Sequence, residues 1–205
     1  MPTITKLVRT QGPHPGVRVY LDGRYAFCLA PEIASCLKKD QQLSETELEG
    51  LVRAGEGENA LTTALYLLSR RPHSCREMEQ KLIRKQYDDE TVAKTLEHLT
   101  ARGLLDDSEF ARVWCENRDA FRPRSRAFVG QELRSKGVAA EDIEAATAGL
   151  DDEASALQAG EKRARTLRQA DHDTFCRRLG DYLRRRGYNY EVIKITVNKL
   201  WQTRM

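Results

Sequence analysis

Arginine supplies the most visible chemistry in this sequence. Arg118, Arg122, Arg124 and Arg126 crowd around Pro123 with only Asp119 to offset them, and Arg177 and Arg178 precede the run Arg184-Arg185-Arg186. A guanidinium offers a planar fork of N–H donors that grips phosphate or carboxylate through two bonds at once. Two such clusters spaced along a chain suit a phosphate backbone, an acidic protein surface, or both. Lys85, Lys136 and Arg186 add a third pattern, recurring at offsets of 51 and 50 residues. Phe121, Phe128, Tyr182, Tyr188 and Tyr190 stand near the clusters, where rings can stack on bases. Plainer accounts cover the same residues. A cation at a helix end complements the helix dipole, worth about 0.3–1 kcal/mol. Charge runs are commonly solvated faces, and aromatics at helical spacing commonly pack into a core.

Other chemistry is poorly represented. No Gly-rich phosphate loop, nucleophile elbow or H-E-x-x-H pair occurs. Asp106-Asp107 is the one conspicuous carboxylate pair, but adjacent residues do not share a helix face, and Asp107 reads better as the N-cap of the helix that follows. The histidines at 14, 73, 98 and 172 form no H-x-x-x-H pair, and the five cysteines, at 28, 36, 75, 115 and 176, form no C-x-x-C. No metal, cofactor or disulfide is expected. The chain has 34 basic and 31 acidic residues, net +3, which leaves no polybasic tail. The longest charge-free helical stretch, Asn59 to Ser69, is far shorter than a membrane span, and the N-terminus lacks an apolar signal core. A cytoplasmic protein without a membrane partner is the expectation.

The elements that must position the arginines fall into two kinds. Val17, Val19 and Leu21 alternate with polar residues, Asp22-Gly23 suits a tight hairpin turn, and Tyr25, Phe27 and Leu29 resume the alternation. Ile4 to Arg9 is a candidate third strand, with Pro13 and Pro15 breaking the chain between. A helix is expected from Pro31, and Ser44-x-x-Glu47 resembles a capping box for another, from Glu45 to about Arg53. Ala54-Gly55-Glu56-Gly57 reads as a linker.

From residue 60 the chain repeats itself. Residues 74–99 align with 125–150 and 175–200: Met78 with Val129 and Leu179, Leu82 with Leu133 and Leu183, Val92 with Ile143 and Ile193, Leu99 with Leu150 and Leu200. Gly137 and Gly187 are natural left-handed helix stops, and Asp88 or Asp89, with Asn189, natural caps for the next helix. An apolar stripe precedes each unit: Ala60, Leu61, Ala64, Leu65 and Leu68 in the first, Phe110, Ala111, Trp114 and Cys115 in the second, and a more charged segment, Ala154 to Leu167, in the third. Pro72 and Pro123 close the first two of these helices.

These residues resemble the RecX family, regulators of the bacterial recombinase RecA. The likeness is carried by Ser74-Cys75-Arg76-Glu77-Met78 through Lys81-Leu82, by Lys85-Gln86-Tyr87, by Leu99-Thr100-Ala101-Arg102-Gly103-Leu104-Leu105-Asp106-Asp107-Ser108-Glu109-Phe110-Ala111, and by Glu132-Leu133-Arg134-Ser135-Lys136-Gly137-Val138. It covers about residues 58–200. Gln86 departs from it, standing where glycine is usual. The resemblance implies a modulator that binds the groove of the RecA–DNA filament, with DNA reached directly or through the filament.

The expected fold is mostly α-helical: three tandem three-helix repeats forming an elongated, curved molecule, with a small N-terminal β-hairpin module. Residues 1–57 hold the hairpin and short helices, and 58–105, 106–151 and 152–205 hold the repeats. The expected function is non-enzymatic inhibition of RecA by a monomer, reducing strand exchange and linked ATP hydrolysis. The residues expected to contact partner or DNA are Lys85, Arg118, Arg122, Arg124, Arg126, Lys136, Arg177, Arg178, Arg184, Arg185 and Arg186. A general nucleic-acid-binding repeat protein without a recombinase partner is the first rival, and an enzyme with an unrecognised site the second.

Overall fold

The computed structural model describes residues 1–10 and 15–203; Pro13, read above as part of a chain break, and His14, one of the four histidines, lie outside the described residues. The chain divides into two compact units, Met1–Leu105 and Asp106–Met205.

The first unit begins with an antiparallel sheet of strands β1 (Ile4–Arg9), β2 (Val17–Leu21) and β3 (Arg24–Leu29), in that order. Asp22 and Gly23 both take positive φ, 47° and 83°, as the hairpin turn requires. Ile4, Val19 and Leu29 are fully buried. Tyr25 breaks the expected alternation and is exposed. The reason is a register shift: Val19 pairs with Phe27 but Tyr20 pairs with Tyr25, so Ala26 is an extra residue in β3. Helix α1 (Pro31–Ala34) is a single turn and leads to α2 (Glu45–Arg70).

Helix α2 opens with the expected capping box: Ser44 accepts from the Glu47 N–H, and Glu47 accepts from the Ser44 N–H. It does not stop near Arg53. The expected linker at 54–57 is helical, and α2 runs unbroken for 26 residues. Gly55 explains why glycine sits there. A Cβ at Gly55 would come within 2.9 Å of Phe27 Cβ and 3.0 Å of the Cys28 carbonyl oxygen. The glycine therefore allows the helix to lie directly against β3 and is a packing residue. The first half of α2 closes the sheet core around Phe27 and Leu43 through Leu48, Leu51 and Ala54. The second half contributes Ala60 and Ala64 to the next core, with Met78, Leu82, Val92 and Leu99 from α3 (Cys75–Arg84) and α4 (Asp89–Ala101).

The second unit holds two three-helix sets: α5 (Asp107–Phe121), α6 (Arg126–Ser135) and α7 (Ala140–Thr147), then α8 (Asp152–Ala164) with a 3-10 turn to Leu167, α9 (His172–Arg184) and α10 (Tyr190–Gln202). Met78, Val129 and Leu179 are all fully buried, as are Leu82, Leu133 and Leu183, so the aligned register is that of three second helices. The third repeat departs in two ways. Helix α9 starts earlier, capped by Asp171, and places the buried Phe175 where Ser74 and Ser125 cap α3 and α6. In α10, Val192 is buried while Ile193 is half-buried.

Each second helix ends in the same turn. Gln86, Gly137 and Gly187 take φ of 67°, 86° and 87°. The next N–H, of Tyr87, Val138 or Tyr188, then returns to the carbonyl of Leu82, Leu133 or Leu183. This is the Schellman arrangement, with an apolar residue after the left-handed one folding back on the helix. In two repeats that residue also reaches the first helix: Tyr87 Oη lies 3.2 Å from Thr63 Oγ1, and Tyr188 Oη 3.0 Å from Ser155 Oγ. Burial pushes the Tyr188 hydroxyl up to about 12, so it stays neutral in its buried hydrogen bond. The helix after the turn is capped by Asp88 in the first repeat and Asn189 in the third, whereas Ala139 in the second gives no side-chain cap. The N-cap of α5 is Asp106, not Asp107 as expected. Asp106 Oδ1 accepts from the Ser108 and Glu109 N–H groups, and Asp107 is already the first helical residue.

The shared turn makes opposite predictions at two of its positions. Gln86 is exposed and bears a Cβ in the left-handed region, so Gln86→Gly should stabilise the protein by about 0.5–1 kcal/mol, read as a raised melting temperature. At Gly187 a Cβ would meet Ser125 Oγ at 2.6 Å and Phe128 Cβ at 2.8 Å. Gly187→Ala should cost at least about 2 kcal/mol in the same melt.

Candidate functional site

The first arginine cluster divides sharply by environment. Arg118, in the last turn of α5, donates from Nε to Glu132 Oε2 at 2.7 Å. Arg124, in the connection to α6, places Nη1 3.2 Å from Glu132 Oε1. Trp114 Nε1 donates to Glu132 Oε2 at 3.0 Å. The Arg118 guanidinium also lies 4.6 Å from the Trp114 ring centroid, and that of Arg124 4.4 Å from the Phe128 centroid. Only 15% of the Glu132 side chain is exposed, against 20% for Arg118 and 28% for Arg124. These two arginines fasten α5 to α6 around one carboxylate. Their charge is engaged within the fold by that carboxylate. Arg122 and Arg126 are exposed and make no ion pair among the described residues.

The three cations at the shared register are not equivalent either. They sit just before the left-handed residue of each turn: Lys85 and Lys136 are the C-caps of α3 and α6, and Arg186 follows Arg185, the C-cap of α9. Lys85 is exposed. Lys136 lies with Nζ 4.3 Å from the Trp114 centroid and 6.0 Å from that of Phe110. Arg186 stacks 4.3 Å from the Tyr182 centroid, with Arg163 at 5.9 Å from the same ring. The Nε–H groups of Arg124, Arg163 and Arg186 are buried without an acceptor. Each of these three guanidiniums is thus packed against an aromatic ring along an edge that no hydrogen bond satisfies.

The second cluster keeps more of its charge available. Arg177, Arg178 and Arg185 are exposed. Arg184 is 75% exposed and lies 3.4 Å from Asp181, an exposed pairing of small value. The two clusters are also not spaced apart, as the sequence suggested. The Ser125 N–H donates to the Arg186 carbonyl oxygen at 3.1 Å, and the Arg126 N–H to Asp152 Oδ1 at 2.6 Å. Repeats two and three are therefore joined where the clusters lie, and Gly187 is the close approach that permits it. Arg122 and Arg126 stand on one side of this joint in sequence and Arg185 on the other, forming one discontinuous basic region.

Of the aromatics near the clusters, Tyr188 is core, Phe128 and Tyr182 are half-buried beneath guanidiniums, and Phe121 and Tyr190 are exposed. Sequence reasoning missed Glu132 as the anchor. The only signal was the i, i+4 spacing of Trp114 and Arg118 on α5, which puts both on one face. Among the described residues, no three His, Cys, Asp or Glu are grouped to hold a metal ion, and no helix is long and apolar enough to cross a membrane. Replacing Glu132 with Ala would strand the Trp114 N–H and two half-buried guanidiniums. It should cost about 2 kcal/mol and shift the emission of Trp114, whereas Glu116→Ala, an exposed acid on α5, should do neither.

Comparison with known proteins bears on the whole chain. Family models match three consecutive segments: RecX, first three-helix domain, over residues 60–99; RecX, second three-helix domain, over 106–146; and RecX, third three-helix domain, over 151–197. A protein named Regulatory protein RecX from Chlorobaculum tepidum is 35% identical over 143 residues, spanning 70% of this chain and 89% of its own length. One of the same name from Clostridium botulinum is 27% identical over 206 residues, spanning 97% and 96%. Among solved structures, one titled crystal structure of regulatory protein RecX superposes with a TM-score of 0.69 at 22% identity, covering 97% of this chain and all of the other. RecX from Lactobacillus salivarius superposes with a TM-score of 0.59 at 18% identity, covering 71% and 96%. At these identities the solved structures speak to the fold.

Proposed function

The chain belongs to the RecX family, and on that premise we propose that it restrains the RecA recombinase by binding the RecA–DNA filament, lowering strand exchange and the linked ATP hydrolysis. It acts as a monomer in the cytoplasm, catalyses no reaction of its own and needs no cofactor. The observation that carries this reading is the basic region at the joint of repeats two and three. Arg122, Arg126 and Arg185 there, and Arg178 seven residues before Arg185 in sequence, are exposed and without ion-pair partners among the described residues. A filament of protein on DNA offers phosphates and carboxylates together, and arginine forks donate to both. Arg118 and Arg124 contribute by holding α5 and α6 in place beneath that surface.

Charge reversal tests the reading, confined to residues that the fold does not need. The double variants Arg122→Glu/Arg126→Glu and Arg178→Glu/Arg185→Glu should each weaken inhibition of RecA-driven strand exchange by about tenfold and flatten its salt dependence, since fewer ion contacts release fewer counterions. Their melting temperatures should stay near wild type, because exposed charges contribute within about 0.5 kcal/mol. Undiminished inhibition by both folded variants would remove this surface from the mechanism. Equal affinity of the wild type for filament and for naked DNA at matched salt would instead favour a general nucleic-acid binder.

A further inference from the structure

The third repeat contains a cleft of about 350 Å³ between α9 and α10. Arg177 and Arg184 line it from α9, Lys194 and Tyr190 from α10, and Asp181 is the only acid among its lining residues. Its apolar part is formed by Ile193 and Val197. A Cβ on Gly180 would make only ordinary contact there, with Ile193 Cγ2 at 3.7 Å.

Tyr190 is the residue that the fold leaves unexplained. It is 75% exposed, while Tyr188, two positions earlier, is buried on Ser155. No ring, hydrogen-bond or ion partner holds Tyr190 among the described residues. A single exposed aromatic is ordinary by itself. Here it shares one cleft with three cations and one acid. An anionic ligand that also carries a flat apolar face satisfies both features. A carboxylate-rich peptide satisfies the cations and leaves the ring idle. A duplex keeps its bases stacked inward, away from a side chain at a cleft wall.

We propose that the α9–α10 cleft is a subsite for single-stranded nucleic acid, in which one base stacks on Tyr190 while the neighbouring phosphates meet Arg177, Arg184 and Lys194. Stacking of this kind tolerates any base, because every base has a π face. The assignment deepens the filament-binding reading and rests on it for its biological setting, since the RecA–DNA filament is where such a strand would be met.

The test uses the full chain without RecA, measuring fluorescence anisotropy of a labelled oligothymidylate of about twenty nucleotides. The wild type should bind this strand more tightly than a duplex of equal length. Tyr190→Ala should weaken binding by about tenfold and leave the salt slope unchanged. Tyr190→Phe should bind within about twofold of wild type, because it keeps the stacking face. Arg177→Glu should lower both affinity and salt slope. Tyr66→Ala, which removes an exposed tyrosine on α2, should bind as wild type does, and melting curves on every variant certify the fold. Wild-type affinity in a folded Tyr190→Ala overturns the proposal. So does equal binding of duplex, or displacement of the strand by polyglutamate at equal charge concentration. Strand-exchange inhibition is scored separately. If the wild type fails to inhibit RecA while the Tyr190 effect persists, the recombinase reading falls and the cleft stands. If inhibition persists while the Tyr190 effect is absent, the cleft falls alone.

Discussion

The arrangement of this protein depends on one backbone constraint met three times: a left-handed residue immediately after the second helix of each repeat. The turn at 86, 137 and 187 reverses the chain within two residues. It returns an N–H to the carbonyl of the buried leucine one turn back and lands the next side chain on the core. Without it the third helix could not pack across the first two. Glycine meets the constraint freely in two repeats and glutamine meets it under strain in the other. The cation preceding the turn is carried with it, and what that cation does depends on its neighbours. Lys85 faces solvent, Lys136 covers Trp114, and Arg186 covers Tyr182.

Formal charge alone misjudges such a surface. The four arginines around Pro123 look uniform in sequence, yet two share one half-buried carboxylate with a tryptophan and two project free. The difference comes from which helix face each occupies and from Glu132, eight residues beyond Arg124. An exposed guanidinium is available to a partner at little structural cost, whereas one hydrogen-bonded to a half-buried acid must give up that bond to meet a partner. The same sorting separates Tyr190 and Phe121 from the tyrosines and phenylalanine that lie beneath arginines or in the core.

Much of the fold was legible because it is periodic. The four-residue spacing of Met78 and Leu82, repeated at 129 and 133 and at 179 and 183, marks one buried face per helix. Gly137 and Gly187 mark the stops, and Ser44 with Glu47 marks a helix start. What failed to show depends on contacts distant in sequence. Gly55 reads as a linker residue until Phe27 is known to lie against it. Tyr25 reads as inward until the one-residue bulge in β3 is known. The meeting of the two arginine clusters follows from a hydrogen bond between Ser125 and Arg186, 61 positions apart, which no local pattern announces. The cleft beside Tyr190 belongs to the same class, since Arg177 and Lys194 come together only when α9 and α10 pack.

Helix α2 has a consequence for how this chain can vary in length. It is a single 26-residue rod whose early turns are keyed to a sheet and whose later turns are keyed to a helical core. A flexible connection between two cores absorbs an added or missing residue at little cost. A rigid one does not: each inserted residue turns everything beyond it by about 100° about the axis and advances it by about 1.5 Å. The segment from 54 to 57 therefore sets an angular phase between the two cores, and changes of length there are tolerated only when they come close to whole turns.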